Sequence, residues 1–201
     1  MWTLYGLNGM KELRYIESEV KKMLTPRRFE HSLGVRDTAV QLAVKYDANS
    51  DKAALAGLTH DCAKDLGYQE MMELVKKYNI NLDEISRLEP SLIHGPLGAC
   101  IAQDVFEIYD EEVLNAIRYH TTGRPSMTLL EKIIYLADYI EPHRDFPGVN
   151  KLRNVAKCDL DNAMILAFDN TITHVISLRG LLHPNTIFAR NDLIVRLKPK
   201  E

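Results

Sequence analysis

The sequence predicts an all-α fold, a helical bundle built as a single domain. Three observations carry that expectation: apolar residues recur at three-to-four spacing through nearly every segment, strand-like alternation is scarce, and helix start and stop signals sit between the apolar stretches. Residues 11–23 carry Leu13, Ile16, Val20 and Met23 or Leu24 on one helical face. Thr25-Pro26 supplies an N-cap and a proline at the first helical position, opening a second helix that holds His31, Val35, Ala39, Leu42 and Val44. Ser50 caps a third helix expected from Asp51 to about Lys64. Further helices are expected at 68–78, 92–107, 111–120, 129–141 and 160–179. Thr128 with Glu131 forms a capping box for the helix that holds Asp138; Pro142 ends that helix, and Gly180 stands where a C′ residue stops the last long one.

Gly123-Arg124-Pro125 and Pro147-Gly148 are the clearest breaks. The tail 183–198 reads two ways, since Leu193, Val195 and Leu197 alternate like a short strand but also suit irregular packing. There is no internal repeat, low-complexity tract or dividing linker. One domain is therefore expected over residues 10–198, with residues 1–9 as an N-terminal extension before Met10.

The 201 residues suffice to bury a substantial core, and 46% hydrophobic with 26% charged residues is a soluble globular balance. The net charge of −3 offers no footprint for a nucleic-acid polyanion, so no nucleic-acid partner is expected; a cationic pocket for a small phosphate compound remains open. No apolar run reaches the roughly 18 residues of a membrane span, and the start does not read as a signal peptide. Cys62, Cys100 and Cys158 are widely spaced and odd in number, which fits a reducing, cytoplasmic compartment and small buried apolar roles.

The adjacent pair His60-Asp61 is the strongest chemical signal. On a helix the two side chains point about 100° apart, close enough to reach one ion. Lys64, one turn on, faces the same space and reads as a phosphate contact; Asp65 is read either as solvated or as a brace for a metal histidine. Asp138 lies in Ile133-Ile134-Tyr135-Leu136-Ala137-Asp138-Tyr139-Ile140, where a buried carboxylate without a partner is costly. His31 lies on a strongly apolar helix, His94 precedes Gly95-Pro96 near a helix start, and His120 ends a helix before Thr121-Thr122-Gly123. Each histidine alone is weak evidence; the ordered set of four histidines and two aspartates points to a shared metal ion.

The set resembles the signature of the HD-domain phosphohydrolases: a histidine, a His-Asp pair and a distant aspartate. More narrowly, the chain resembles the YqeK-type branch, the symmetrically cleaving bis(5′-nucleosyl)-tetraphosphatases. The stretches that carry this are Arg28-Phe29-Glu30-His31-Ser32-Leu33-Gly34-Val35 and His60-Asp61-Cys62-Ala63-Lys64-Asp65-Leu66, then His94-Gly95-Pro96-Leu97-Gly98-Ala99. Ile117-Arg118-Tyr119-His120-Thr121-Thr122-Gly123 and Leu136-Ala137-Asp138-Tyr139-Ile140-Glu141-Pro142-His143-Arg144 complete the set, with His183-Pro184-Asn185-Thr186 and Ala189-Arg190-Asn191 in the tail.

The resemblance implies a helical HD fold in which His31, His60, Asp61 and Asp138 hold a divalent or trivalent ion, iron favoured. His94 and His120 either complete a second metal position or contact phosphate, so one or two ions are open. It implies metal-assisted hydrolysis of diadenosine tetraphosphate to ADP, with Asp61, Lys64, His94 and His120 in the catalytic set. Arg28, Lys64, His94, His120, Thr121 and Arg144 are the expected substrate contacts, and residues 180–186 are expected near a nucleoside. Arg27, Arg118, His143 and His174 are read as surface or structural. A homodimer is also implied, and Tyr68–Leu74 reads as core or as a dimer face. The alternatives are another HD activity, on a nucleoside monophosphate, a dNTP or a guanosine tetraphosphate alarmone, or a non-catalytic nucleotide-binding module.

Overall fold

The computed structural model describes residues 5–198, with side chains from residue 13 onward. Among the described residues there are eleven α-helices and one 3₁₀ turn at Pro90–Leu92, and no strand. The helices are α1 (Tyr5–Met23), α2 (Pro26–Lys45), α3 (Ser50–Thr59), α4 (Tyr68–Lys77), α5 (Glu84–Leu88), α6 (His94–Val105), α7 (Glu111–Tyr119), α8 (Leu129–Ile140), α9 (Val149–Ala156), α10 (Leu160–Ser177) and α11 (Pro184–Leu197). Of the expected extension over residues 1–9, the first four lie outside the described residues, and the backbone is helical on either side of Met10.

Helices α2, α3, α7 and α8 form the centre, with α6 against α7, and α10 against α8, α9 and α11. Val35, Leu58, Leu97, Leu114, Ile117, Ile133, Ile134 and Leu136 are fully or almost fully buried there. The approach of α3 to α2 depends on Gly57, where an added Cβ would stand 2.8 Å from the Arg36 Cα. That closeness brings His31 and the end of α3 within reach of the same ion.

The local chemistry explains most boundaries. Asn49, one residue before Ser50, caps α3 by accepting from the Asp51 and Lys52 N–H groups, so Ser50 is the first helical residue rather than the cap. The Thr128–Glu131 capping box forms as read, and Glu141 and Pro142 follow α8. α3 stops at Thr59, earlier than expected: Cys62 N–H donates to Thr59 O and Lys64 N–H to Asp61 O, a run of i→i+3 turns. The stop of α10 is made by Arg179, with φ 55° and its N–H on Ile176 O, while Gly180 follows with its N–H on Val175 O.

The tail is helical over Pro184–Leu197. His183 Nδ1 accepts the Asn185 N–H at its start, and the buried Thr186, Ala189 and Leu193 share one face at helical spacing. The short α5 and α9 were not anticipated. Of the three cysteines only Cys62 is buried; Cys158 is exposed. In α4, Met71 belongs to the core whereas Tyr68 is exposed.

Candidate metal centre

Five segments converge on one point. His31 comes from α2, His60 and Asp61 from the turn after α3, His94 from the first residue of α6, His120 from the cap after α7, and Asp138 from α8. These four histidines are buried, as is Asp61. All six candidate ligands predicted from the sequence are thus brought together.

The first group of donors is His31 Nε2, His60 Nε2, Asp61 Oδ2 and Asp138 Oδ1. His31 Nε2 lies 3.0 Å from Asp138 Oδ1 and 3.8 Å from Asp61 Oδ2; His60 Nε2 lies 3.6 Å from Asp61 Oδ2 and 3.9 Å from Asp138 Oδ1. The second group uses the other Asp61 oxygen. His94 Nε2 is 3.2 Å and His120 Nε2 3.5 Å from Asp61 Oδ1, and the two nitrogens are 3.0 Å apart. Donors that each stand about 2.1 Å from one ion are themselves about 3.0–3.4 Å apart. The second group is close to that spacing, while in the first only the His31–Asp138 pair matches it and the other separations are a few tenths of an ångström wider.

The far side of each ring settles which nitrogen is free. His60 Nδ1 donates to Gly57 O at 2.8 Å, His120 Nδ1 to Ile117 O at 2.7 Å and His94 Nδ1 to Ser91 O at 2.5 Å. A carbonyl oxygen only accepts, so these Nδ1 atoms carry a proton, and it is Nε2 that faces inward as the candidate ligand atom. His31 Nδ1 lies 3.1 Å from Glu141 Oε1, an acceptor of the same kind. His31 Nε2 and His60 Nε2 are buried and have no hydrogen-bond partner. Lone pairs gathered around carboxylate oxygens repel one another unless a cation lies among them. The residues therefore fit one metal ion, and the two faces of Asp61 leave room for a second.

Electrostatics agree. Burial pushes His60 down to about 4 and lowers His94, so both rings are neutral near pH 7. Burial also opposes the charged form of His31, but Asp138 and Glu141 outweigh it and hold that imidazole above its ordinary value. Burial would raise the Asp138 carboxyl, yet His31, His60 and the Arg144 guanidinium hold it far below the carboxylate range. Asp61 is likewise held well below, against burial, by His60, His120 and His94.

The expected substrate contacts surround this centre. Arg28 Nη1 is 3.0 Å from Asp61 Oδ2, and Thr121 Oγ1 is 3.3 Å from the Nε2 atoms of both His94 and His120. Lys64 Nζ stands 3.3 and 3.4 Å from the two His94 nitrogens, and burial lowers its ammonium. Arg144, another expected substrate contact, has its Nη2 2.5 Å from Asp138 Oδ1 and its Nε 2.8 Å from Asp138 O. Asp65 is exposed, the solvated one of its two expected roles, and accepts the Thr25 N–H at the start of α2; it braces no metal histidine.

Glu141 is the important residue that the sequence reading missed. It is 1% exposed, holds His31 through Oε1, and accepts the His143 N–H at 2.7 Å through Oε2. An added Cβ at Gly34 would lie 2.7 Å from that Oε2, so a glycine there makes the space for the carboxylate. The only signal was an acid between a buried helix and a proline, which reads equally well as a solvated helix end.

Two cavities flank the centre. One of about 680 Å³ runs from His120, Thr121, Asp138 and Arg144 to Tyr135, Tyr139, Phe146, Asn170, Thr171 and His174. Another of about 510 Å³ is lined by Arg27, Arg28, Glu30, His31, His143 and Arg144 among others. His143, His174 and Arg27, read as surface or structural, thus border cavities. His183 and Asn185 line a smaller one of about 140 Å³ with Thr121 and Thr122, and Arg118 borders the same space.

Comparison with known proteins bears on the same residues. A family model described as the HD domain matches residues 28–143. A protein of Halalkalibacterium halodurans described as a symmetrical bis(5′-nucleosyl)-tetraphosphatase is 45% identical over 89% of this chain and 95% of its own length. One of Bacillus subtilis with the same description is 42% identical over 87% of this chain and 94% of its own. A solved structure from Clostridium acetobutylicum, described as a predicted HD superfamily hydrolase involved in NAD metabolism, superposes with a TM-score of 0.88 at 50% identity. It covers 91% of this chain and 97% of that one.

Proposed function

The chain belongs to the HD-domain family, and from that premise we propose that it is a metal-dependent hydrolase cleaving diadenosine tetraphosphate symmetrically into two molecules of ADP. The observation that carries the metal requirement is the set of Nε2 atoms facing inward around the Asp61 and Asp138 carboxylates. His31, His60, Asp61 and Asp138 hold the first ion in this reading, and Asp61, His94 and His120 offer the second position. When bound, such an ion supplies Lewis-acid charge and lowers the pKa of a water at the substrate. Iron is the ion we favour; the imidazole and carboxylate donors suit it, and no thiolate is among them.

The chain's own groups supply the rest. Arg28 and Lys64 border the centre and neutralise charge growing on the phosphate oxygens. Thr121 donates its hydroxyl proton to a phosphate oxygen. Arg144 first fixes the Asp138 carboxylate and, from the wall shared by both cavities, meets the phosphate chain. His94, neutral through burial, acts as a ligand rather than as a general acid. No described helix is long and apolar enough to cross a membrane. We read the enzyme as cytoplasmic and homodimeric, with a dinucleoside polyphosphate as its partner and no nucleic acid.

Product identification tests the activity. Protein purified without air, of known metal content, is incubated with diadenosine tetraphosphate and the nucleotides are separated by ion exchange. ADP alone is expected; AMP with ATP overturns the symmetrical reading.

A further inference from the structure

The centre is flanked within one chain by two cavities, and the two identical halves of a symmetric substrate laid across it rest on two different surfaces. The cavities flanking the centre differ accordingly. The larger pairs aromatic walls at Tyr135, Tyr139 and Phe146 with polar groups at Asn170, His174 and Ser177. Tyr139 and Phe146 meet edge to face at 5.3 Å, nearly perpendicular, so a purine stacked on the face of one ring has the other against its edge. The smaller cavity has no Phe, Tyr, Trp or aliphatic side chain among the described residues that line it; Arg27, Arg28 and Arg144 supply its cationic groups. The carboxylates Glu30, Asp65 and Glu141 also line it, of which Asp65 accepts the Thr25 N–H and Glu141 is taken up by His31 and His143. Arg27 makes no ion pair or side-chain hydrogen bond among the described residues, which leaves its guanidinium for an anion. Arg144 belongs to both walls and marks where one half of the substrate ends and the other begins.

The geometry points to recognition of a single nucleoside, in the aromatic cavity, with the other half of the substrate held only through its phosphates in the arginine-lined one. The inference rests on the dinucleoside tetraphosphate activity proposed above and extends it to a second substrate class, the nucleoside 5′-tetraphosphates. Their four phosphates span the centre as those of the dinucleotide do, and only the distal nucleoside is missing. In either case the oxygen of one water bonds to a central phosphorus and the P–O bond bridging the two central phosphates breaks. The bridging oxygen keeps the electron pair, and the protons of the water pass to it and to solvent. Diadenosine tetraphosphate yields two ADP; adenosine 5′-tetraphosphate yields ADP and pyrophosphate.

The test compares both compounds on the metal-loaded full chain, with products resolved by ion exchange. Adenosine 5′-tetraphosphate is expected to give ADP and pyrophosphate with a kcat/KM within about tenfold of that for the dinucleotide, because no stacking contact is lost with the distal adenosine. Tyr139→Ala is expected to raise KM for both compounds by the same factor. Cleavage of the dinucleotide with adenosine 5′-tetraphosphate turned over a thousandfold more slowly, or cut to ATP and orthophosphate, overturns the inference and leaves the proposed function standing. Failure to cleave either compound overturns the proposed function itself.

Discussion

Glu141 gives the most quantitative handle on the centre. In Glu141→Gln the amide oxygen can still accept from His31 Nδ1–H, but the bond loses its charge. A hydrogen bond to a charged group contributes about 1.5–3 kcal/mol and a neutral one about 0.5–1.5, so the difference of about 1 kcal/mol predicts a metal affinity roughly fivefold weaker. Glu141→Leu removes the acceptor and leaves His31 Nδ1–H buried without a partner, in a residue only 8% exposed. That costs about 1–3 kcal/mol, or up to about a hundredfold in affinity, the range typical of groups that orient a ligand. Gly34→Ala is expected to act in the same direction with no charge altered, since its Cβ would meet Glu141 Oε2 at 2.7 Å. Affinity is read by competition with a chelator of known strength, thermal unfolding of the metal-free variants confirms that each folds, and excess metal should restore hydrolysis. An affinity for Glu141→Leu within twofold of the parent would refute the view that this carboxylate sets the His31 ring.

Three further outcomes follow from the geometry. Asp61→Ala removes the one carboxylate that faces both donor groups and should lose bound metal and hydrolysis together, as read by metal analysis and ADP release. Metal affinity should fall on acidification: a ligating imidazole must be unprotonated, and His31, held above its ordinary value, is the first of these rings to take a proton as pH drops. Below the His31 pKa the apparent affinity should drop about tenfold per pH unit, and a flat chelator titration from pH 8 to about 5 would exclude that order of protonation. Gly57→Ala should lower stability by about 1–3 kcal/mol through the clash with the Arg36 backbone, visible as a lower Tm.

The ligands were legible because each is a polar group set in an apolar helical stretch, where only a shared partner makes burial tolerable. Asp138 among Ile134, Leu136 and Ile140 is the clearest case. What their order in the chain did not reveal is the reverse side of each ring. Gly57 O, Ser91 O and Ile117 O are backbone atoms, and the choice of nitrogen they impose leaves no trace in residue identity. The His60-Asp61 pair was expected on a helix and lies in turns, because the i→i+3 bonds that replace the last helical ones keep similar local dihedrals. Alternation at Leu193, Val195 and Leu197 suggested a strand, but Val195 and Leu197 are exposed and only Leu193 packs inward, with Ala189 and Thr186 a helical turn apart. The aromatic cavity was missed because Asn170, Thr171 and His174 lie on α10, far in sequence from every ligand, and come to the centre through the packing of α10 on α8 and of Phe168 against Gly123.

Metal reconstitution tests most directly whether an ion held at the inward Nε2 atoms drives hydrolysis. Chelator-treated protein, shown by thermal unfolding to be folded, is titrated with ferrous ion without air while bound metal and ADP release are measured together. Hydrolysis is predicted to be absent without metal and to rise with occupancy to saturation at one or two ions per chain. Full hydrolysis by the metal-free protein would contradict the account.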